Sequence, residues 1–169
     1  MSGNLRVVVI GVGNSMRRDD GAGLAAVERA RGRLPDGVCV VECAGGSVEL
    51  LDSWDGADLA VVVDAGRWPG AAPGQIAWIS DAAREPDGPL AAAGILGTHG
   101  LAVPEVLGLG RAVGRLPRRL DVLVVALDDS GFGIGFSPGV EAGVDRAARM
   151  LVDQVRSFAD GAAVASLEV

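Results

Sequence analysis

The stretch Arg6-Val7-Val8-Val9-Ile10-Gly11-Val12-Gly13-Asn14-Ser15-Met16-Arg17-Arg18-Asp19-Asp20-Gly21-Ala22-Gly23 decides how this chain is read. It opens on an unbroken β-branched run, turns through glycines, and passes two adjacent carboxylates into a helical pattern. A strand over Leu5–Ile10 with no polar alternation reads as buried on both faces, as in a parallel sheet. Glycine lets the backbone turn sharply and approach another group closely. The pattern that follows predicts a helix over Asp20–Arg33, with Leu24, Ala26, Val27 and Ala30 on its packing stripe. In an open α/β sheet, ligands bind beyond the carboxyl ends of the strands, so the stretch reads as one wall of a site.

The rest of the chain repeats this alternation. Strands are predicted over Val38–Cys43, Leu59–Val63, Gln75–Ile79 and Leu120–Leu127, the third of the chain ending at Asp64. Helices are predicted over Val48–Trp54 and Leu101–Val113, with a last one opened by Ser137 as cap and Pro138 at its first position. Arg67–Gly74 is a Pro- and Gly-rich loop, 81–95 an irregular excursion, and Asp128–Gly135 a flexible glycine loop. Alternating strands and helices mean an α/β fold: a three-layer sandwich, its mostly parallel twisted sheet of about five strands carrying helices on both faces. Residues 1–158 read as a single domain, and 159–169 as a tail that frays.

Composition narrows the function. The 169 residues are 49% hydrophobic, ample for one core, and carry a net charge of −7 with 4% aromatics. The absence of a basic stripe argues against nucleic acid as a partner. All 15 basic residues are arginine, which excludes Schiff-base chemistry and a phosphate-loop lysine. No apolar run approaches a membrane span, and Met1-Ser2-Gly3-Asn4 lacks the basic start of a signal peptide, so the expectation is a cytoplasmic protein without a membrane partner. Cys39 and Cys43, four apart in a strand, are too distant to bridge and read as reduced core residues.

Three residues stand out by position. Asp20 follows the first strand, Asp64 ends the third, and His99, the sole histidine, lies in a glycine-flanked turn before a helix. The two carboxylates fall on the carboxyl edge of a parallel sheet. If His99 enters from above that edge, oxygen and nitrogen donors converge as a divalent transition metal such as nickel or zinc requires. Each has a plainer reading. Asp20 fits a helix cap, Asp64 an ion pair with Arg67 or a cap on backbone amides, and His99 a hydrogen-bonded structural residue. A Gly-x-Ser-x-Gly elbow is absent. The Gly11–Met16 turn has methionine where a dinucleotide fingerprint needs its third glycine.

Gly11-x-Gly13-Asn14 followed by Asp19-Asp20-Gly21-x-Gly23 resembles the opening signature of the hydrogenase maturation endopeptidases. The resemblance continues through Val61-Val62-Val63-Asp64-Ala65, Thr98-His99-Gly100-Leu101 and Gly135-Phe136-Ser137-Pro138-Gly139-Val140. It implies an endopeptidase that removes the carboxyl-terminal extension of a nickel–iron hydrogenase large-subunit precursor after nickel insertion. It also implies that Asp20, Asp64 and His99 are the catalytic and metal-recognising residues, the nickel being supplied by the bound precursor. Asp19 would cap the helix or support the turn. The family's Gly-Gly-Thr segment after the second strand is displaced here to Gly45-Gly46-Ser47, which the resemblance makes substrate-binding. A non-catalytic nickel-binding or assembly-chaperone module is the alternative, and a nucleotide binder a third reading.

Overall fold

The computed structural model describes residues 5–84, 96–97 and 103–165. The described residues contain six strands: β1 (Val7–Val12), β2 (Cys39–Cys43), β3 (Leu59–Arg67), β4 (Ile76–Ile79), β5 (Leu96–Gly97) and β6 (Arg119–Ala126). A 3₁₀ turn at Arg18–Gly21 leads into α1 (Ala22–Arg31), and α2 (Ser47–Trp54), α3 (Val103–Val113) and α4 (Val140–Ala165) follow. The sheet order is β2-β1-β3-β6-β4, with β5 beside β3. The β1–β2, β1–β3 and β3–β6 pairs are parallel, whereas β4 runs antiparallel to β6 and β5 antiparallel to β3.

The continuous apolar runs are buried on both faces, as such runs in a parallel sheet must be. Every residue of β1, and every residue of β3 except Arg67, is buried. Side chains alternate between two cores. Val7, Val9, Val61 and Val63 pack with Val27 of α1 and Val144 and Leu151 of α4. Val8, Ile10, Ala60 and Val62 pack with Leu50 and Trp54 of α2 and Leu107 of α3. Helices therefore cover both faces, as the alternation predicts. Burying one such valine or leucine favours folding by about 1.5–3 kcal/mol, so the central strands anchor the sandwich.

Several boundaries differ from the sequence reading. Strand β3 does not stop before Asp64 but continues to Arg67, because β6 pairs with it as far as Gly66↔Ala126. The short β5 carries no apolar run to announce it and was not expected. Asp20 lies in the 3₁₀ turn, not in α1. Ser137 does not cap α4. Its carbonyl accepts from the Val140 amide in a turn, and the helix begins at Val140. Helix α4 also runs past Phe158 to Ala165, where a frayed tail was expected. Of the two free thiols, Cys43 is buried but Cys39 is exposed, since β2 lies at the edge of the sheet order. No helix among the described residues is long and apolar enough to cross a membrane.

Candidate active site at the carboxyl edge of the sheet

The chain leaves β1 toward β2 on one side, while β3 and β6 lie on the other. The order thus reverses between β1 and β3, the switch point where open α/β sheets bind ligands. Pairing of β1 with β3 ends at Gly11↔Val63, and β5 pairs with β3 only at Gly66 and Arg67. Asp64 falls in the interval between these pairings. By strand alternation it shares the face of Ala60 and Val62, the face covered by α2 and α3.

Asp20 reaches the same place by backbone packing. A Cβ on Gly23 would stand 2.3 Å from the Val63 carbonyl oxygen, 2.5 Å from that of Val12 and 2.9 Å from Asp64 Cα. Only glycine lets the first turn of α1 sit that closely on both strand ends. Gly13 has φ +147°, and its Cβ would lie 2.2 Å from the Asp20 carbonyl oxygen. The glycines thus pull the turn against the strand ends and bring a fully buried Asp20 beside Asp64.

The electrostatics record that proximity. Burial pushes the Asp64 carboxyl up to about 7. The Ala65 amide, which donates to Oδ1 at 2.7 Å, opposes the shift, and the Asp20 carboxylate adds to it. Arg67 does not pair with Asp64; its guanidinium donates to the Asp128 carbonyl instead. His99 lies outside the described residues. Among the described residues no group of three or more His, Cys, Asp or Glu side chains is arranged to hold a metal ion. Asp20 and Asp64 supply two oxygen donors, a set suited to one side of a divalent cation.

Asp19 does work that the sequence does not announce. It is fully buried and makes no side-chain cap on the helix that follows. Its Oδ2 accepts from the amides of Asp128 (3.0 Å) and Asp129 (2.8 Å), and Oδ1 from that of Ser137 (2.6 Å). Burial pushes this carboxyl up, but the donors from Asp129, Ser137 and Asp128 outweigh it and hold it below the usual carboxylate value. The two loops are also stitched by Arg18 N–H to the Gly133 carbonyl (3.0 Å) and Gly133 N–H to that of Met16 (2.9 Å). The glycine loop expected to be flexible is therefore bonded along its length to the turn after β1. More than a hundred residues separate these partners, so no local pattern in the sequence carries the signal.

The segment expected to bind substrate lies on the same edge, after β2. Gly45 has φ +101°, Gly46 caps α2 with extended backbone, and Ser47 opens the helix. Beside it a recess of about 250 Å³ is lined by Gly13, Leu24, Glu42, Cys43, Ala44 and Glu49. The Cys43 thiol donates to Glu49 Oε2 at 3.3 Å, and burial pushes it up to about 11. At neutral pH it is protonated, which argues against a thiolate nucleophile or ligand.

The open, helix-covered α/β sheet is shared with solved structures of processing proteases. Over 154 residues, 90% of this chain and 92% of the relative, the sequence is 28% identical to the hydrogenase 2 maturation protease of Escherichia coli (strain K12). The hydrogenase maturating endopeptidase HybD from E. coli superposes with a TM-score of 0.75 at 26% identity, covering 91% of this chain and 94% of its own. The HybD of Thermococcus kodakarensis shares the fold, with a TM-score of 0.69 at 22% identity over 89% of this chain and 99% of its own. No family model matches the chain. These likenesses agree with the resemblance carried by the motifs: over nine-tenths of its length the chain is similar to hydrogenase maturation endopeptidases.

Proposed function

We propose that this protein is the endopeptidase that removes the carboxyl-terminal extension of a nickel–iron hydrogenase large-subunit precursor once nickel is in place. The observation that carries the reading is the meeting of buried Asp20 and Asp64 at the switch point, in a chain similar over nine-tenths of its length to a hydrogenase maturation protease. In this reading the nickel arrives as part of the substrate. Asp20 and Asp64, with His99 from the segment before α3, would recognise it. A seated metal ion polarises a carbonyl or lowers the pKa of a bound water. The chain's own contribution is to orient the tail and to hold two oxygen donors rigidly on backbone that glycine has brought together.

The Gly45–Ser47 segment supports the reading from the side, because it faces the same edge and is held by α2. A cytoplasmic site of action follows from the reading, since a precursor still awaiting assembly is met there. The test is a mass-spectrometric assay of precursor trimming. Asp20→Asn, Asp64→Asn and His99→Ala are each expected to lower the rate by at least about 10²-fold with unchanged circular dichroism. Wild-type trimming by a folded variant would remove that residue from the site.

A further inference from the structure

A second concavity opens next to the turn after β1. A groove of about 430 Å³ runs between α1 and the segment leading into α4. Leu24, Ala25 and Phe136 give it apolar walls, and Ile134, 81% exposed, stands on its lip. It is continuous with the candidate site: Gly21, next to Asp20, lines it, and Leu24 and Glu42 belong both to it and to the recess beside Gly45. Its far wall is fixed in place, because Asp19 and the Arg18–Gly133 bond tie the 128–137 loop down. A preformed groove binds without the cost of ordering its own walls.

The charged edge is acidic. Glu28, Glu42 and Glu141 line the groove, and its one guanidinium, Arg18, faces Asp129 at 3.4 Å. Arg31 is shared by Glu28 and Glu42, and Arg29 by Glu141 and Asp145. Three arginines among five carboxylates, the Arg18–Asp129 pair included, leave a surplus of negative charge beside the apolar walls. An extended peptide presents successive side chains to opposite sides, so it can place one apolar and the next basic residue against such a surface.

We infer that this groove docks an extended, cationic–apolar peptide segment of the substrate, its apolar side chains against Leu24 and Phe136 and its basic side chain at Glu28 and Glu42. Which molecule supplies the segment rests on the peptidase reading above. The groove carries the segment past the Gly45–Ser47 loop and across α1, and so contributes to the choice of precursor.

The test measures fluorescence anisotropy of a labelled ten-residue peptide alternating leucine and arginine, and of its leucine–glutamate counterpart, with the whole chain. The arginine peptide is expected to bind at least about tenfold more tightly. Glu28 and Glu42 are exposed, so a Glu28→Gln/Glu42→Gln chain keeps its fold; it should lose about fivefold or more in affinity. Asp153→Asn/Asp160→Asn makes the same charge change on exposed positions of α4 and should leave affinity unchanged. Equal binding of the two peptides, or equal loss in the two double variants, would overturn the inference by showing only diffuse attraction to an acidic chain. Binding that obeys these expectations without trimming of any precursor would leave the groove standing and remove the peptidase reading. Trimming by a chain whose Glu28→Gln/Glu42→Gln variant binds the peptide unchanged would do the reverse.

Discussion

Asp64 sits where a strand interior would ordinarily hold a valine, and its proton is the price of that position. Its carboxyl, raised to about 7 from an ordinary 3.8, holds a proton in the folded protein over a pH range where the unfolded chain has lost it. The native state then binds more protons, so this residue's contribution to stability is full below about pH 4 and is lost as pH rises through 7. Asp64→Asn keeps the acceptor for the Ala65 amide and removes the titration. In chelator-treated protein, denaturant curves should show the variant more stable than wild type at pH 8, on the order of 2–4 kcal/mol, with the gap closing toward pH 4. Parallel stability curves would mean that Asp64 is not held as described. The sequence shows this residue plainly, as a carboxylate after an apolar run. It does not show that the strand goes on to Arg67, because that extension depends on pairing with β6.

Gly23 is the other residue on which the site turns. Three backbone atoms stand within 3.0 Å of where its Cβ would be, so Gly23→Ala must displace α1 from the strand ends. The expected result is a loss of about 2–4 kcal/mol in chemical denaturation. Trimming should fall even where the protein remains folded, since the 3₁₀ turn that carries Asp20 leads directly into α1. The motif spacing marks Gly23 as notable; only the packing of α1 on β1 and β3 says why.

At the scale of elements, the decisive join is between the turn after β1 and the loop after β6. Asp19 accepts three backbone amides across that join, and hydrogen bonds to a charged acceptor contribute about 1.5–3 kcal/mol each. Asp19→Ala should therefore destabilise the fold by roughly 3–5 kcal/mol. Amide exchange should rise first at Asp128, Asp129 and Ser137, and protection there equal to wild type would contradict the clamp. Because the Asp19 carboxyl lies below its usual value in the folded state, its contribution is present above about pH 4 and is lost as pH falls further. Arg17 adds to the same join, donating to the Ser130 carbonyl at 3.1 Å and lying 5.8 Å from the Phe132 ring centre. Read along the chain, Asp19 looks like a cap and 128–135 like a slack loop, since glycine content reports local freedom and not long-range bonds.

For the molecule as a whole, topology does most of the work. Apolar runs rich in valine at Val7–Ile10, Leu59–Val63 and Val122–Val125 dictate buried parallel strands, and the intervening helical stripes dictate covered faces. That much of the architecture was legible, and so was the edge on which Asp20 and Asp64 meet. The strand order was not, because adjacency in a sheet is set by which cores the helices share. The two-residue β5 and the reach of α4 to Ala165 were hidden for a related reason: neither is marked by a long apolar pattern of its own. His99 lies outside the described residues, so trimming by a His99→Ala variant decides whether it belongs to the site.

If paired carboxylates at the switch point read a metal delivered by the substrate and license cleavage, nickel in the precursor decides whether it is trimmed. The most direct measurement incubates the protein with a hydrogenase large-subunit precursor prepared nickel-loaded and nickel-free, and follows both by intact mass. The loaded precursor alone is expected to lose its carboxyl-terminal extension. Trimming of both forms at equal rates, or of neither by a folded protein, would contradict it.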